Sequence, residues 1–137
     1  MMISTKGRYA LRMMIDLAQH ADAGAVSLKT IAERQEISMK YMEAIAALLN
    51  RGGLVVSTRG KSGGYMLSRP AAQISVQEVM AMTEGSLAPV ACVECDPHPC
   101  EHAEVCLTFP MWQKLDRMID QYLSGISIQD LIDRKLT

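Results

Sequence analysis

Residues 27–68 read SLKTIAERQEISMKYMEAIAALLNRGGLVVSTRGKSGGYMLS, and this stretch decides the fold. Ser27 and Ser38 each precede an apolar periodic segment, where a serine side chain can cap the first turn of a helix. A break at Glu36 and Ile37 separates the two segments. Two short helices joined by a tight turn are the outline of a helix-turn-helix.

The second of these helices, from Ser38 to about Arg51, has two different faces. One face is apolar and suits a core, whereas the other is small and lightly charged and so fits a DNA major groove. The pattern therefore predicts a recognition helix. Its inward residues are Met42, Ile45, Leu48 and Leu49, and its outer residues are Met39, Lys40, Glu43, Ala44 and Ala47.

Two β-rich runs, residues 54–59 and 65–68, flank a glycine-rich turn directly after this helix. Glycines at the tip permit positive φ and remove side-chain bulk, while Arg59 and Lys61 place charge where a hairpin can reach phosphates or a minor groove. A hairpin that directly follows a recognition helix predicts the wing of a winged helix. The Gly-Lys-Ser triplet does not make a nucleotide-binding loop, because the earlier glycine that such a loop requires falls on Val55.

Apolar residues at helical spacing predict further helices on both sides of this unit. A core helix covers about residues 7–22, Ser75 caps a helix to about Glu84, and Ser127 caps a short helix near the end. A further helix carries a long apolar stripe, which must be buried against another surface. We favour the same helix of a second subunit over the chain's own domain. The stripe comprises Leu107, Met111, Leu115, Met118, Ile119, Tyr122 and Leu123.

We therefore predict a mainly α fold with a small β-hairpin wing, a winged helix-turn-helix plus a long dimerisation helix. Residues 1–70 are expected to form the DNA-binding domain, and residues 71–88 a connecting helix. A cysteine loop over residues 89–106 then leads to residues 107–137, which contain the dimerisation helix and a short C-terminal helix.

Charge and composition narrow the functional class. Residues 1–70 contain ten Lys and Arg against five Asp and Glu, a net charge of +5, whereas residues 71–137 contain four against ten, a net charge of −6. The first half is therefore expected to meet a polyanion. Aromatic residues are only 4% of the chain, which disfavours a catalytic pocket lined with aromatic side chains. No arrangement of His, Ser and carboxylate residues indicates hydrolysis, so we expect neither an enzyme nor a small-molecule substrate.

Neither a signal sequence nor a membrane-spanning run is evident in the chain. We therefore expect a cytoplasmic protein without a membrane partner. Cytoplasmic thiols stay reduced, so the cysteines are available as metal ligands rather than as disulfides.

All four cysteines, Cys92, Cys95, Cys100 and Cys106, are separated by two, four and five residues in a segment rich in Pro and His. Thiolates this close can converge on one soft ion or one iron-sulfur cluster. Four thiolates also suit tetrahedral zinc, and a thiol redox switch is a further alternative. Catalysis by a Cys92 and Cys95 dithiol is disfavoured because such a pair normally opens a helix in a βαβ unit.

Taken together, these residues resemble the Rrf2 family, the iron-sulfur winged-helix transcriptional regulators of bacteria. The likeness runs nearly from end to end and is more specific than a generic helix-turn-helix. It is carried by STKGRYA at 4–10, IAERQ at 31–35, Ile37 and Ser38, Tyr41 and Glu43, Arg59 and Gly60, GGY at 63–65, the cysteine loop, and CLT at 106–108 leading to Trp112.

The resemblance implies a homodimer that binds double-stranded operator DNA and regulates transcription, with repression favoured. It implies readout by Lys40, Tyr41 and Glu43, insertion of Arg59 into a minor groove, and DNA affinity set by the state of a cluster. The full set of expected DNA contacts is Met39, Lys40, Tyr41 and Glu43 in the recognition helix, Arg59 and Lys61 in the wing, and Lys6 and Arg8 near the N-terminus.

The resemblance also implies cluster ligands, since Cys92, Cys100 and Cys106 match the three cysteines of the family. Where relatives carry a histidine ligand this chain has Phe109, and where some carry an N-terminal carboxylate it has Arg8. The fourth ligand is therefore expected elsewhere. Cys95 is the leading candidate, ahead of His98 and His102, and both 2Fe-2S and 4Fe-4S clusters stay open.

Two further departures from the family concern the helix-turn-helix itself. Glu36 stands where the turn commonly carries glycine, which is unfavourable if that position needs a positive φ. Ala44 stands where the reading face is expected to be polar, which points to a different operator sequence.

Overall fold

The structure is a computed structural model and describes residues 2–94, 101–102 and 104–136. It is mostly helical with one two-stranded antiparallel hairpin, as the sequence predicted. Across the described ranges, no helix is both long enough and apolar enough to cross a membrane. The elements are α1 (Thr5–Gln19), α2 (Leu28–Gln35), α3 (Met39–Arg51), β1 (Val55–Thr58), β2 (Gly64–Leu67), α4 (Val76–Glu84), α5 (Phe109–Ser124) and α6 (Ile128–Asp133).

Serine caps start both helices of the helix-turn-helix. The Ser27 hydroxyl accepts a hydrogen bond from the backbone N–H of Thr30 at 3.1 Å, and the Ser38 hydroxyl accepts one from that of Tyr41 at 3.2 Å. Glu36 between them adopts the left-handed conformation, with φ 56° and ψ 45°. The turn therefore has the geometry that usually selects glycine, although this chain supplies glutamate.

The hairpin is anchored to the residue that precedes α2. β1 and β2 pair with Val55 opposite Leu67 and Thr58 opposite Gly64. Beyond this pairing, the backbones of Val26 and Tyr65 exchange two hydrogen bonds of 2.9 and 2.8 Å. The wing is thus fixed to the start of the helix-turn-helix and not only to its own turn.

The core is aliphatic and rich in methionine, whose flexible thioether side chains fill irregular gaps between helices. α4 and α6 pack on α1, and the backbone of Ile128 donates to Ile74 at 2.9 Å. The last helix therefore packs back against the first one. The largest fully buried side chains are Met13, Met14, Leu17, Ile31, Met42, Ile45, Leu49, Val55, Ile74, Val79, Met80 and Ile128.

α4 begins with a capping box, in which Ser75 and Glu78 each accept a hydrogen bond from the other's backbone N–H. Burial alone raises the pKa of Glu78, but the Ser75 backbone N–H and the Arg69 guanidinium outweigh it and lower that pKa overall. The ion pair between Arg69 and Glu78 also ties the end of the hairpin to α4.

Glu36→Gly should raise the free energy of unfolding by about 1 kcal/mol, because glycine adopts the left-handed conformation without the clash that a Cβ atom causes. Chemical denaturation of the two proteins checks this value. Glu33→Gly, one turn earlier in α2, is the matched control and should lower stability by a similar amount. A loss of stability in Glu36→Gly would contradict the geometry of the turn.

Candidate nucleic-acid interface and cysteine segment

The outer face of α3 is exposed as the sequence predicted. Lys40, Glu43, Ala44 and Ala47 are exposed, and Met39 at the first position is 41% exposed. The opposite face is fully buried, which fixes the rotation of the helix about its axis. Its buried residues are Met42, Ile45, Ala46 and Leu49, all at 0% exposure.

Tyr41 differs from its neighbours because it is half-buried against α1. Its ring meets the Tyr9 ring edge to face, with centroids 5.6 Å apart, and the Arg12 guanidinium lies 5.3 Å from the centroid of Tyr9. Contacts of this kind stabilise helix packing. Tyr41 therefore helps to fix α3 on α1, and its contact with DNA stays a prediction.

A buried carboxylate joins α1 to the end of α2. Asp16 is only 1% exposed and accepts hydrogen bonds from Arg34 at 2.7 and 3.1 Å and from the Gln35 amide at 2.9 Å. The hydrogen bond to Asp16 raises the pKa of Arg34 against the opposing effect of burial. On the other side of Gln35, Arg12 donates to its side-chain oxygen at 3.1 Å and to its backbone carbonyl.

The sequence analysis did not identify this network. A signal was present, since Asp16 lies three residues after Met13 and therefore on the apolar face of the first helix. A carboxylate on a buried face must be paired with a donor.

The wing carries its predicted cations at the tip. Arg59 and Lys61 are both exposed beside Gly60, which has φ 107°. The tip turns tightly because the Gly63 N–H donates to the Gly60 carbonyl at 3.0 Å. The structure thus presents both charges at the end of the hairpin, and their DNA contacts stay predictions.

The first turn of α1 carries Lys6 and Arg8, of which Lys6 is half-buried and Arg8 is exposed. This turn is joined to the last residue of α4, because one carboxylate oxygen of Glu84 accepts from the Ser4 backbone N–H at 2.8 Å and from its hydroxyl at 2.7 Å. A Cβ atom at Gly7 would collide with that same oxygen. The N-terminus of α1 is therefore tied to the end of α4.

The described parts of the cysteine segment place Cys92 and Cys106 at its two ends. Cys92 lies in a short 3₁₀ turn, Ala91–Val93, which packs against α5, and Cys106 lies just before α5. Both are half-buried free thiols. Cys95, Cys100 and His98 lie outside the described residues, and His102 is exposed.

The environment of Cys106 favours its thiolate. Its sulfur lies 3.3 Å from the Thr108 hydroxyl. The hydrogen bond from that hydroxyl, and then those from the backbone N–H groups of Thr108 and Phe109, lower the pKa of Cys106. Phe109 itself is buried at 8% exposure and offers no ligand atom. Within residues 2–94, 101–102 and 104–136, no cluster of three or more His, Cys, Asp or Glu is arranged to hold a metal.

Gly64→Ala should detach the wing from the helix-turn-helix. A Cβ atom there would meet the Val26 carbonyl and lie 2.7 Å from the Ser27 backbone nitrogen, and neither backbone atom can move aside cheaply. We expect a loss of about 1–3 kcal/mol in the free energy of unfolding, together with weaker DNA binding. Denaturant titration and a DNA-binding isotherm measure the two effects.

Gly125→Ala is the matched control, because its Cβ atom would come no closer than 3.4 Å to the Gln121 carbonyl. Equal stability and DNA affinity in the Gly64 and Gly125 variants would show that the Val26 contact does not position the wing.

Comparison with known proteins places these features in one family. The Rrf2 family, described as an iron-dependent transcriptional regulator, matches residues 3–134. The chain is 39% identical over 132 residues to the HTH-type transcriptional regulator IscR of Xenorhabdus nematophila, covering 96% of this chain and 79% of that protein. The matched proteins are transcriptional regulators and not enzymes, as the sequence predicted.

Solved structures agree in fold. IscR of T. potens superposes with a TM-score of 0.78 at 38% identity, covering 98% of this chain and 88% of that one. CymR, the global cysteine regulator of B. subtilis, superposes with a TM-score of 0.77 at 32% identity, covering 98% of both chains. These matches confirm the predicted resemblance and the predicted winged-helix fold.

Proposed function

Because this chain belongs to the Rrf2 family of transcriptional regulators, we propose that it is a homodimeric repressor of the IscR type. Its affinity for double-stranded operator DNA is set by an iron-sulfur cluster held by Cys92, Cys95, Cys100 and Cys106. The observation that carries the proposal is the pair of free, half-buried thiols near the two ends of a segment that contains all four cysteines of the chain.

The DNA-binding part of the proposal is supported by three exposed groups of side chains. The outer face of α3 suits a major groove, while the wing tip and the first turn of α1 offer cations for phosphates or a minor groove. Glu43 can accept a hydrogen bond from a cytosine amine, and Lys40 can donate to guanine or to phosphate. Arg59 and Lys61 then position the dimer on the duplex.

The donor set fits a cluster chemically. Cluster irons are bound by thiolates, and the hydrogen bonds to Cys106 lower the pKa of its thiol. A bound cluster would supply a charge and a redox state that respond to iron, sulfide or oxidants. Cys92 and Cys106 are available to it because both are free and half-buried, and Cys95 and Cys100 lie between them in the chain.

The position of the segment explains how its state would reach DNA. It begins shortly after Glu84, which holds the N-terminus of α1, and it ends at the first turn of α5. A change in the conformation of the cysteine segment would therefore act on α1, which carries Lys6 and Arg8, and on α5, the helix proposed to pair the subunits. In this proposal, cluster binding and DNA binding are coupled because both depend on the positions of α1 and α5.

The partner of α5 is a second copy of this chain. Along its apolar stripe, Met111 is 54% exposed, Met118 is 55% exposed and Tyr122 is 52% exposed, which is a large apolar surface to leave in water. An isologous pairing buries the same stripe on both subunits. It also gives two recognition helices at a fixed separation, as a two-fold symmetric operator requires.

The cluster is tested by purifying the full chain without oxygen and measuring iron, sulfide and zinc together with the visible spectrum. We expect brown protein whose operator affinity differs at least tenfold between the cluster-loaded and cluster-free forms at one salt concentration. In Cys106→Ser we expect neither the brown colour nor this difference in affinity. Gln73→Ala, at an exposed position outside the wing, α3 and the cysteine segment, is the control for folding and handling. Colourless protein with one zinc per chain would replace the cluster with a structural metal.

Cys95→Ser tests the fourth ligand in the same assay. We expect it to lower cluster content as far as Cys106→Ser does, because a cluster iron left with an incomplete thiolate set is lost more readily. Full cluster content in Cys95→Ser would move the fourth ligand to a histidine, and His98→Ala and His102→Ala then identify which one.

Met118→Glu should dissociate the dimer, because a carboxylate would be buried without a partner at the centre of the stripe. Light scattering should show a shift from dimer to monomer, with a loss of operator affinity of more than tenfold, since only one half-site is then engaged at a time. Gln113→Glu adds the same charge on the opposite side of α5 and should remain dimeric. A dimeric Met118→Glu protein would contradict this assignment of the interface.

A further inference from the structure

We propose that Ala44 and Ala47 of α3 read thymine by its 5-methyl group, so that each half-site of the operator carries a thymine opposite each alanine. The inference rests on the proposed function, since it requires the outer face of α3 to enter the major groove. It adds a chemical rule for the operator that neither the fold nor the family supplies.

The two alanines lie near the centre of the outer face. Successive residues of a helix are rotated by about 100°, so the direction opposite the buried face falls within about 30° of Lys40, Ala44, Ala47 and Arg51. All four are exposed. Glu43 is about 70° away and therefore faces the side of the groove rather than its floor.

This arrangement leaves two methyl groups as the nearest side-chain atoms to the base edges. Lys40 precedes them and Arg51 follows them, and both have long side chains that can turn towards the phosphates. The alanines are too short to reach phosphates or to fold away. Their lack of bulk also lets the helix backbone come close to the bases.

A methyl group neither donates nor accepts hydrogen bonds, so the base it meets determines whether the contact is favourable. The major-groove edges of guanine, adenine and cytosine are polar, and covering them with a methyl group removes water without replacing its hydrogen bonds. Thymine alone offers a methyl group at C5. The face therefore favours thymine opposite the alanines and, through Glu43, cytosine beside them.

The test begins with the operator itself. Anaerobically purified full-length chain selects duplex DNA from a random pool, and each thymine of the selected site is then replaced singly by deoxyuridine, which removes only the methyl group. We expect two thymines in each half-site at which uracil weakens binding about fourfold, the value of one buried methyl group. Uracil at the other thymines should change affinity less than twofold.

Glycine variants assign each methyl group to its alanine. Ala44→Gly should abolish the uracil penalty at one thymine and retain it at the other, and Ala47→Gly should do the reverse, as a double-mutant cycle requires. The salt dependence of binding should be the same in both variants, because no phosphate contact is lost. Ala81→Gly, at an exposed position of α4, carries the same loss of helix propensity and should leave both penalties unchanged.

Each outcome of the test decides between the two proposals. If selected DNA binds tightly but no thymine is sensitive to uracil, or if the penalties persist in both glycine variants, the thymine assignment is wrong while the regulator remains. If neither the cluster-loaded nor the cluster-free protein enriches any site, the proposed function itself fails. Should a glycine variant lose its helical circular dichroism, Ala44→Ser and Ala47→Ser replace the pair and must still abolish the matching penalties.

Discussion

The buried carboxylate of Asp16 is the interaction on which the DNA-binding half of the molecule depends. A charge that is 1% exposed is stable only when it is paired and hydrogen-bonded, and Arg34 and Gln35 supply those bonds. Both donors lie at the end of α2, so the network orients that helix on α1. α3 begins at Met39, directly after the tight turn that follows α2, so the position of α2 also determines where α3 starts.

The left-handed turn at Glu36 lies beside this arrangement. Gln35 is held by Asp16 on one side and by Arg12 on the other, and the Ile37 N–H donates to the Ala32 carbonyl at 3.0 Å, which closes α2 around Glu36. The strain of a glutamate in a glycine-like conformation is stored at the joint between the two helices. The surrounding hydrogen bonds over-determine that conformation, which is why it persists.

Local chemistry made much of the fold predictable. Ser27 and Ser38 start helices because a serine hydroxyl accepts a hydrogen bond from the nearby backbone N–H. The helical spacing of apolar residues was enough to identify the outer face of α3. The hydrogen bonds that Arg34 donates to Asp16 and Ser4 donates to Glu84 join residues 18 and 80 positions apart. No local pattern encodes such pairs, because they form only after the helices have packed.

The proposed readout of bases by two alanines has a consequence for how DNA affinity is regulated. Methyl contacts supply discrimination between bases but little attraction to DNA, so most of the affinity must come from phosphates contacted by the wing and by the first turn of α1. In the proposed dimer, those contacts depend on the separation of the two subunits and on the position of α1. Both are elements that adjoin the cysteine segment, through α5 and through Glu84. Under the proposed function, such a regulator would lose affinity through its positioning contacts while its base readout is left intact, which would make sequence preference and the response to the cysteine segment separable properties.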